Sequence, residues 1–268
     1  MLSRARLDEP LALDPALRDL YERDGFVRVK KVFDADVLRE YGAAISSEVV
    51  RRNAITAPLN ERDTYHKAFL QVTNLWRTDD AAREFVFGRR LAGMAASLLG
   101  VERVRLYHDQ ALYKEPGGGI TPWHADQFYW PLSSNKTITA WVPLQPTPLE
   151  MGPIAFAAGS HRMQFGRDLE IGDESERSLR KALEAGRFRE DAAPFEQGEV
   201  SFHSGWTFHH TGSNATRDAR AVMTVIYMED GIRLARPQRK QHYLDWQAFM
   251  PGVLEGNVVD SPLNPVLN

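Results

Sequence analysis

From Val101 onward the chain is built of short segments of alternating polarity, separated by Gly, Pro and Asn turns and not by regularly recurring helices. That texture excludes a doubly wound α/β sheet and predicts an antiparallel barrel or sandwich. Val101–Lys114 alternates, with Leu106, His108, Gln110, Leu112 and Lys114 on one face. Glu115-Pro116-Gly117-Gly118-Gly119 closes it as a turn. Thr137–Leu144, Pro153–Phe156, Glu199–His210 and Ala219–Met228 are the further predicted strands. One charged stretch, Asp173–Arg189, carries Leu179, Leu183 and Phe188 and predicts a helix inserted between strands, as packing helix or lid. The first hundred residues differ: Asp14-Pro15 starts a helix that Gly25 ends, Phe26–Val29 is a short strand, a second helix follows Asp34, and a third spans Ala81–Leu99. The expected organisation is a single domain over 1–268. It has a mainly helical layer at 1–100, a barrel at 101–232 with a helical insertion at about 166–195, and a polar, Pro-punctuated tail at 233–268 that wraps the surface.

Composition narrows the chemistry. Of 268 residues none is cysteine, which removes disulfides, Cys-bound zinc and a Cys nucleophile. A net charge of −3 argues against nucleic acid as a partner. The first twenty residues lack the apolar core of a signal peptide, and no run of eighteen apolar residues exists to span a bilayer. The expectation is a cytoplasmic protein with a small-molecule substrate and no membrane partner. No Gly-x-Ser-x-Gly or His-Glu-x-x-His motif points to a hydrolase.

His124 and Asp126, two apart in an extended segment, project to one face about 7 Å apart at Cα. They can share a metal if a third ligand comes from a neighbouring strand. His209 is the strongest candidate, and His108, His203 and His210 compete on chemistry alone. His210 faces the other side of its strand. His66, His161 and His242 lie in predicted loops or helices as ordinary polar positions. Two His and one carboxylate would leave iron three open positions. Arg220 begins the strand after His209. Buried there, it needs an anion: a structural carboxylate or a bound dicarboxylate.

Taken together these residues resemble the phytanoyl-CoA dioxygenase family. The resemblance rests on Tyr21-Glu22-Arg23-Asp24-Gly25-Phe26-Val27, on Trp123-His124-Ala125-Asp126, on Ala158-Gly159-Ser160-His161, and on His209-His210-Thr211-Gly212-Ser213-Asn214-Ala215-Thr216 followed by Arg220. It implies a mainly β fold with flanking helices around a double-stranded β-helix (a jelly-roll, cupin-like core). It implies Fe(II), 2-oxoglutarate and O2 as cofactor and cosubstrates, and hydroxylation of a small organic metabolite with succinate and CO2 as co-products. Iron ligation is implied for His124, Asp126 and His209, and binding of the distal carboxylate for Arg220, with Thr211 offering a hydroxyl where the family usually has Ser. Trp141, Thr139, Gln110 and Lys114 are further candidates near the cosubstrate. Phe128, Tyr129, Trp130 and Trp206, with Phe69 and Trp76, are aromatic candidates for the substrate side. Arg233, Arg236, Arg239 and Lys240 read as a solvated basic stretch. Halogenating relatives carry Ala or Gly where Asp126 stands, so Asp126 implies transfer of oxygen. Desaturation, epimerisation or ring formation on the same cofactors are the alternatives within the class, and a non-catalytic cupin-like binding protein is the alternative outside it.

Overall fold

The computed structural model describes residues 2–268. Its β-strands form two antiparallel sheets. The larger has six: β1 (Phe26–Val29), β2 (Leu70–Thr73), β3 (Val104–Lys114), β5 (Thr137–Pro143), β8 (Val200–Ser204) and β10 (Arg220–Glu229), ordered β1-β8-β5-β10-β3-β2. The smaller has β4 (Thr121–His124), β6 (Ile154–Ala157), β7 (Glu190–Asp191) and β9 (His209–Thr211), ordered β4-β9-β6-β7. From β3 to β6 the chain switches sheet at every strand, and it does so again from β8 to β10, which is the interleaving of a double-stranded β-helix. The sheets face each other without closing into a barrel.

Both faces of the larger sheet are covered, and its strands show it. In β5, Ile138, Ala140 and Val142 pack outward into the main apolar core, while Thr139 and Trp141 turn toward the small sheet. The outer face is roofed by α1 (Leu2–Asp8), α2 (Pro15–Asp24), α3 (Ala35–Arg52), α5 (Asp80–Val86) and α6 (Arg89–Leu99), whose apolar side chains form that core with the sheet. α4 (Thr64–Ala68) leads into β2. The start of α2 is as read from sequence: Pro15 opens it, and the Asp14 side chain accepts from the Ala16 N–H.

Three expectations need correction. The helix expected over Ala81–Leu99 is two helices, broken at Phe87-Gly88. A Cβ on Gly88 would lie 3.1 Å from Leu7, so α1 approaches the backbone there, and Asp8 accepts from the Arg89 N–H to cap α6. The strand expected over Glu199–His210 is β8 and β9, joined by a turn at Gly205-Trp206 where the chain leaves one sheet for the other. The tail after Arg233 does more than wrap the surface. It contains α8 (Lys240–Phe249) and buries Met250, Val253 and Val259 against Ile226 and Met228 of β10. The insertion helix, α7 (Asp173–Ala185), packs Leu179 and Leu183 on the outside of the small sheet against Trp123, Ala125 and Phe208. No helix among the described residues is long and apolar enough to cross a membrane.

Candidate active site

Between the sheets lies a cavity of about 300 Å3. Its floor is made by strand residues whose neighbours in sequence face the outer core. β4 and β9 pair with His124 opposite His209, and Ala125 continues extended to Asp126. The possible ligand atoms of His124, Asp126 and His209 lie within 4.8 Å of one another. From Asp126 Oδ1 the two imidazole Nε2 atoms are 3.8 Å and 3.7 Å away.

The surroundings set the state of each donor. His124 Nδ1–H donates to the Pro122 carbonyl at 2.7 Å, and His209 Nδ1–H to that of Thr207 at 2.9 Å. Each bond leaves an Nε2 lone pair facing the centre, as a metal requires. Burial lowers the pKa of both rings, which keeps them neutral. Burial would raise the Asp126 carboxyl, but the imidazoles of His209, His203 and His124 hold it below the usual carboxylate range. Its Oδ2 accepts from Thr139 Oγ1 at 3.1 Å and from His203 Nε2 at 3.2 Å, which leaves Oδ1 turned to the two histidines. The donor set therefore suits a divalent iron: two neutral imidazoles and one oriented carboxylate on one side of an open cavity.

His203, a rival ligand by chemistry, instead orients Asp126. His108 lines the cavity with its ring stacked on Phe249 at 4.0 Å, and burial lowers its pKa to about 4. His210 points away from the centre, bonded to Glu190 and packed on Trp123.

Arg220 stands at the start of β10, which follows β9 in the chain but lies in the larger sheet, and is 1% exposed. The segment before it explains its placement. Asn214 is buried, donates to the carbonyls of Lys114 and Asp218, and accepts from the Thr216 N–H and hydroxyl, so the turn into β10 is rigidly tied. The guanidinium donates to the Gly152 carbonyl and stands 5.5 Å over the Trp141 ring. Gly152 is required there by the backbone: its φ is +68°, and a Cβ would come within 2.3 Å of the Gly212 carbonyl oxygen. Arg220 makes no ion pair among the described residues, and its Nε has no partner. Burial lowers its pKa to about 9. A buried cation with unused donors is a binding site for an anion. The Thr211 hydroxyl donates to Thr121 Oγ1 at 2.8 Å, and both threonines line the same cavity.

The other candidates divide. Trp141, Thr139, Gln110, Thr211, Phe69, Tyr129 and Trp130 line the cavity. Lys114, Phe128, Trp206 and Trp76 do not. Lys114 is fully buried and donates to the Gly119 carbonyl, and burial with the nearby charge of Arg220 lowers its pKa to about 6. Phe128 lies under the Arg239 guanidinium and Trp206 under that of Arg167, while Trp76 packs on Phe87. Sequence reasoning missed Tyr65, Gln71 and Thr73, which come from α4 and β2, and Asp245 and Phe249 of α8. The last two stand four apart on one helix face, a spacing too common to single them out.

A family profile described as phytanoyl-CoA dioxygenase (PhyH) matches residues 21–222. The chain belongs to this family. It is an oxidoreductase of the dioxygenase class, with iron, 2-oxoglutarate and O2 as cofactor and cosubstrates. A probable alpha-ketoglutarate-dependent hypophosphite dioxygenase of Stutzerimonas stutzeri is 24% identical over 77% of this chain and 76% of its own. A 1-deoxypentalenic acid 11-beta-hydroxylase of Streptomyces exfoliatus is 25% identical over 58% of this chain and 56% of its own. Among solved structures, the epimerase SnoN in complex with Fe3+, alpha ketoglutarate and nogalamycin RO superposes with a TM-score of 0.79 at 26% identity, covering 95% of this chain and 100% of SnoN.

Proposed function

We propose that this family member hydroxylates a small organic molecule, holding iron through His124, Asp126 and His209 and 2-oxoglutarate through Arg220. The observation that carries the reading is Arg220: a buried guanidinium without a carboxylate partner, in the same cavity as the three converging ligands. Iron and 2-oxoglutarate, when bound, supply the oxidising power for O2-dependent cleavage of a C–H bond. The protein's own residues do the rest. Arg220 grips the far carboxylate of the cosubstrate in a dry site, with Thr211 beside it and Trp141 shielding the guanidinium. Thr139 and His203 hold Asp126 in register, and the carbonyls of Pro122 and Thr207 hold the two imidazoles. Tyr65, Phe69, Tyr129 and Trp130 wall the cavity and exclude water from the substrate side. With iron held, the Asp126 carboxylate would take the place a halide needs, so oxygen and not halogen is expected in the product.

Stereochemical inversion on the same cofactors is the second reading, favoured by the likeness to the epimerase SnoN along 95% of the chain. One experiment separates them. The iron-loaded protein is screened against metabolites for substrate-stimulated succinate formation, and products are weighed after turnover in isotopically labelled O2. Hydroxylation adds one labelled oxygen atom. An unchanged product mass means inversion, and loss of two hydrogens means ring closure or desaturation; either overturns the hydroxylase reading. Product halogenated in excess chloride would overturn the role given to Asp126.

A further inference from the structure

The far side of the cavity holds a second carboxylate. Asp245, on α8, lines it together with Phe249, one turn further along the same helix. Asp245 Oδ2 accepts a hydrogen bond of 2.7 Å from the Tyr107 hydroxyl. No Lys, Arg or His pairs with it among the described residues. The rings of Tyr65, Tyr129, Trp130 and His108 line the same cavity, and Phe249 is stacked on His108. A carboxylate in an apolar wall is costly unless a cation or several donors meet it, and one phenol is a single donor. Burial accordingly raises its pKa to about 7, with the charge of Asp126 adding to the rise.

We propose that Asp245 is a specificity residue that binds a protonated amine of the substrate, within a box of aromatic rings. The chemistry is complementary on both counts. The carboxylate supplies a charge-assisted hydrogen bond to N–H, and the ring faces attract the cation and its alkyl substituents. It also complements the other end of the cavity, where Arg220 takes an anion: a cosubstrate carboxylate is steered to one end and a cationic substrate to the other. A neutral hydroxyl would donate to Asp245 as well, but would leave the charge uncompensated. The proposal rests on the reading of this cavity as the site of an iron- and 2-oxoglutarate-dependent oxygenase, and gives that substrate its chemical class.

The test uses matched probes in place of the unknown substrate: benzylamine and N,N-dimethylbenzylamine against benzyl alcohol, titrated by ligand-observed NMR into the protein carrying zinc in place of iron and 2-oxoglutarate. The expected result is amine binding roughly tenfold or more tighter than alcohol, as for a charged against a neutral hydrogen bond. In Asp245→Asn, which still accepts from Tyr107, the preference disappears while alcohol binding stays. Asp245→Glu retains it. Equal affinity of amine and alcohol, binding of neither, or a preference that survives Asp245→Asn overturns the assignment. Binding of 2-oxoglutarate to the wild-type protein is measured alongside. If it fails, the reading of the cavity falls; if it holds and the amine preference is absent, only the role of Asp245 falls.

Discussion

The two ends of the cavity are built from different materials. At the Arg220 end every contributing side chain stands on a strand or on the turn closing it, and each is locked by neighbours: Asn214 and Thr216 tie the turn, the Gly152 carbonyl accepts from the guanidinium, and Thr139 and His203 fix Asp126. At the Asp245 end, His108 of β3 and the Tyr129-Trp130 segment share the wall with α4, α8 and the loop holding Ile171, whose N–H donates to the Tyr129 hydroxyl. Strands with one face buried keep their register, because a slip by one residue turns every side chain to the wrong face. No side chain of α8 is fully buried, so that helix can change its side chains with less disturbance to the sheets. The chemistry common to a family belongs on the first kind of scaffold, and the choice of substrate on the second.

Several measurements sharpen or break this division. Asp126→Ala should lose nearly all bound iron, read by metal analysis after gel filtration, whereas Asp245→Asn should retain it. If both lose iron, the ends are not separate. Arg220→Leu should raise the KM for 2-oxoglutarate by roughly 30-fold or more, since removing one partner of a buried charged contact costs about 2 kcal/mol at the low end. Its iron content and its affinity for benzylamine should stay unchanged; a KM equal to wild type would remove Arg220 from the cosubstrate site.

A smaller effect is expected from Thr139→Val, which deletes one of the two donors to Asp126 Oδ2. Iron affinity should fall about tenfold, the lower end for groups that orient a ligand. Competition with a chelator measures it, and no change would mean that His203 alone orients the carboxylate. The effect expected on stability alone concerns Asp109, which stands between the cavity-lining His108 and Gln110 and so faces the helical layer and not the cavity. It accepts from the Leu75 N–H, and burial raises its pKa to about 7. A raised carboxyl binds its proton more tightly folded than unfolded, so its contribution to stability is full below about pH 4 and declines as pH rises toward 7. Chemical denaturation of Asp109→Asn across that range should show a shallower decline than wild type, with benzylamine binding untouched. An equal slope would show that Asp109 does not titrate there.

How much of this was legible before folding depended on whether a residue's partners are near in sequence. His124 and Asp126 sit two apart, and the stretch from His209 to Arg220 contains the strand, the turn and the next strand that together place the guanidinium, so local spacing carried the site. The break at Gly88 was not legible, because what forces it is Leu7 of another helix. Nor was the break between β8 and β9, since 199–210 alternates well enough for one strand until the chain must cross between sheets. Trp206 and Phe128 were candidates for their ring chemistry alone, and a ring's usefulness depends on where it points: both lie under arginines outside the cavity.

The amino-acid sequence by itself determined the fold class and the placing of His124 and Asp126 on one face, because strand alternation and turn chemistry act over a few residues and dictate which side chains share a face. Only the tertiary structure decided that His209 converges with His124 and Asp126 while His203 bonds to the far oxygen of Asp126, that Arg220 is left without an internal anion, and that Asp245, more than a hundred residues from Asp126 along the chain, faces the same cavity. These follow from long-range packing of the tail and helices against the sheets, and no local pattern records it.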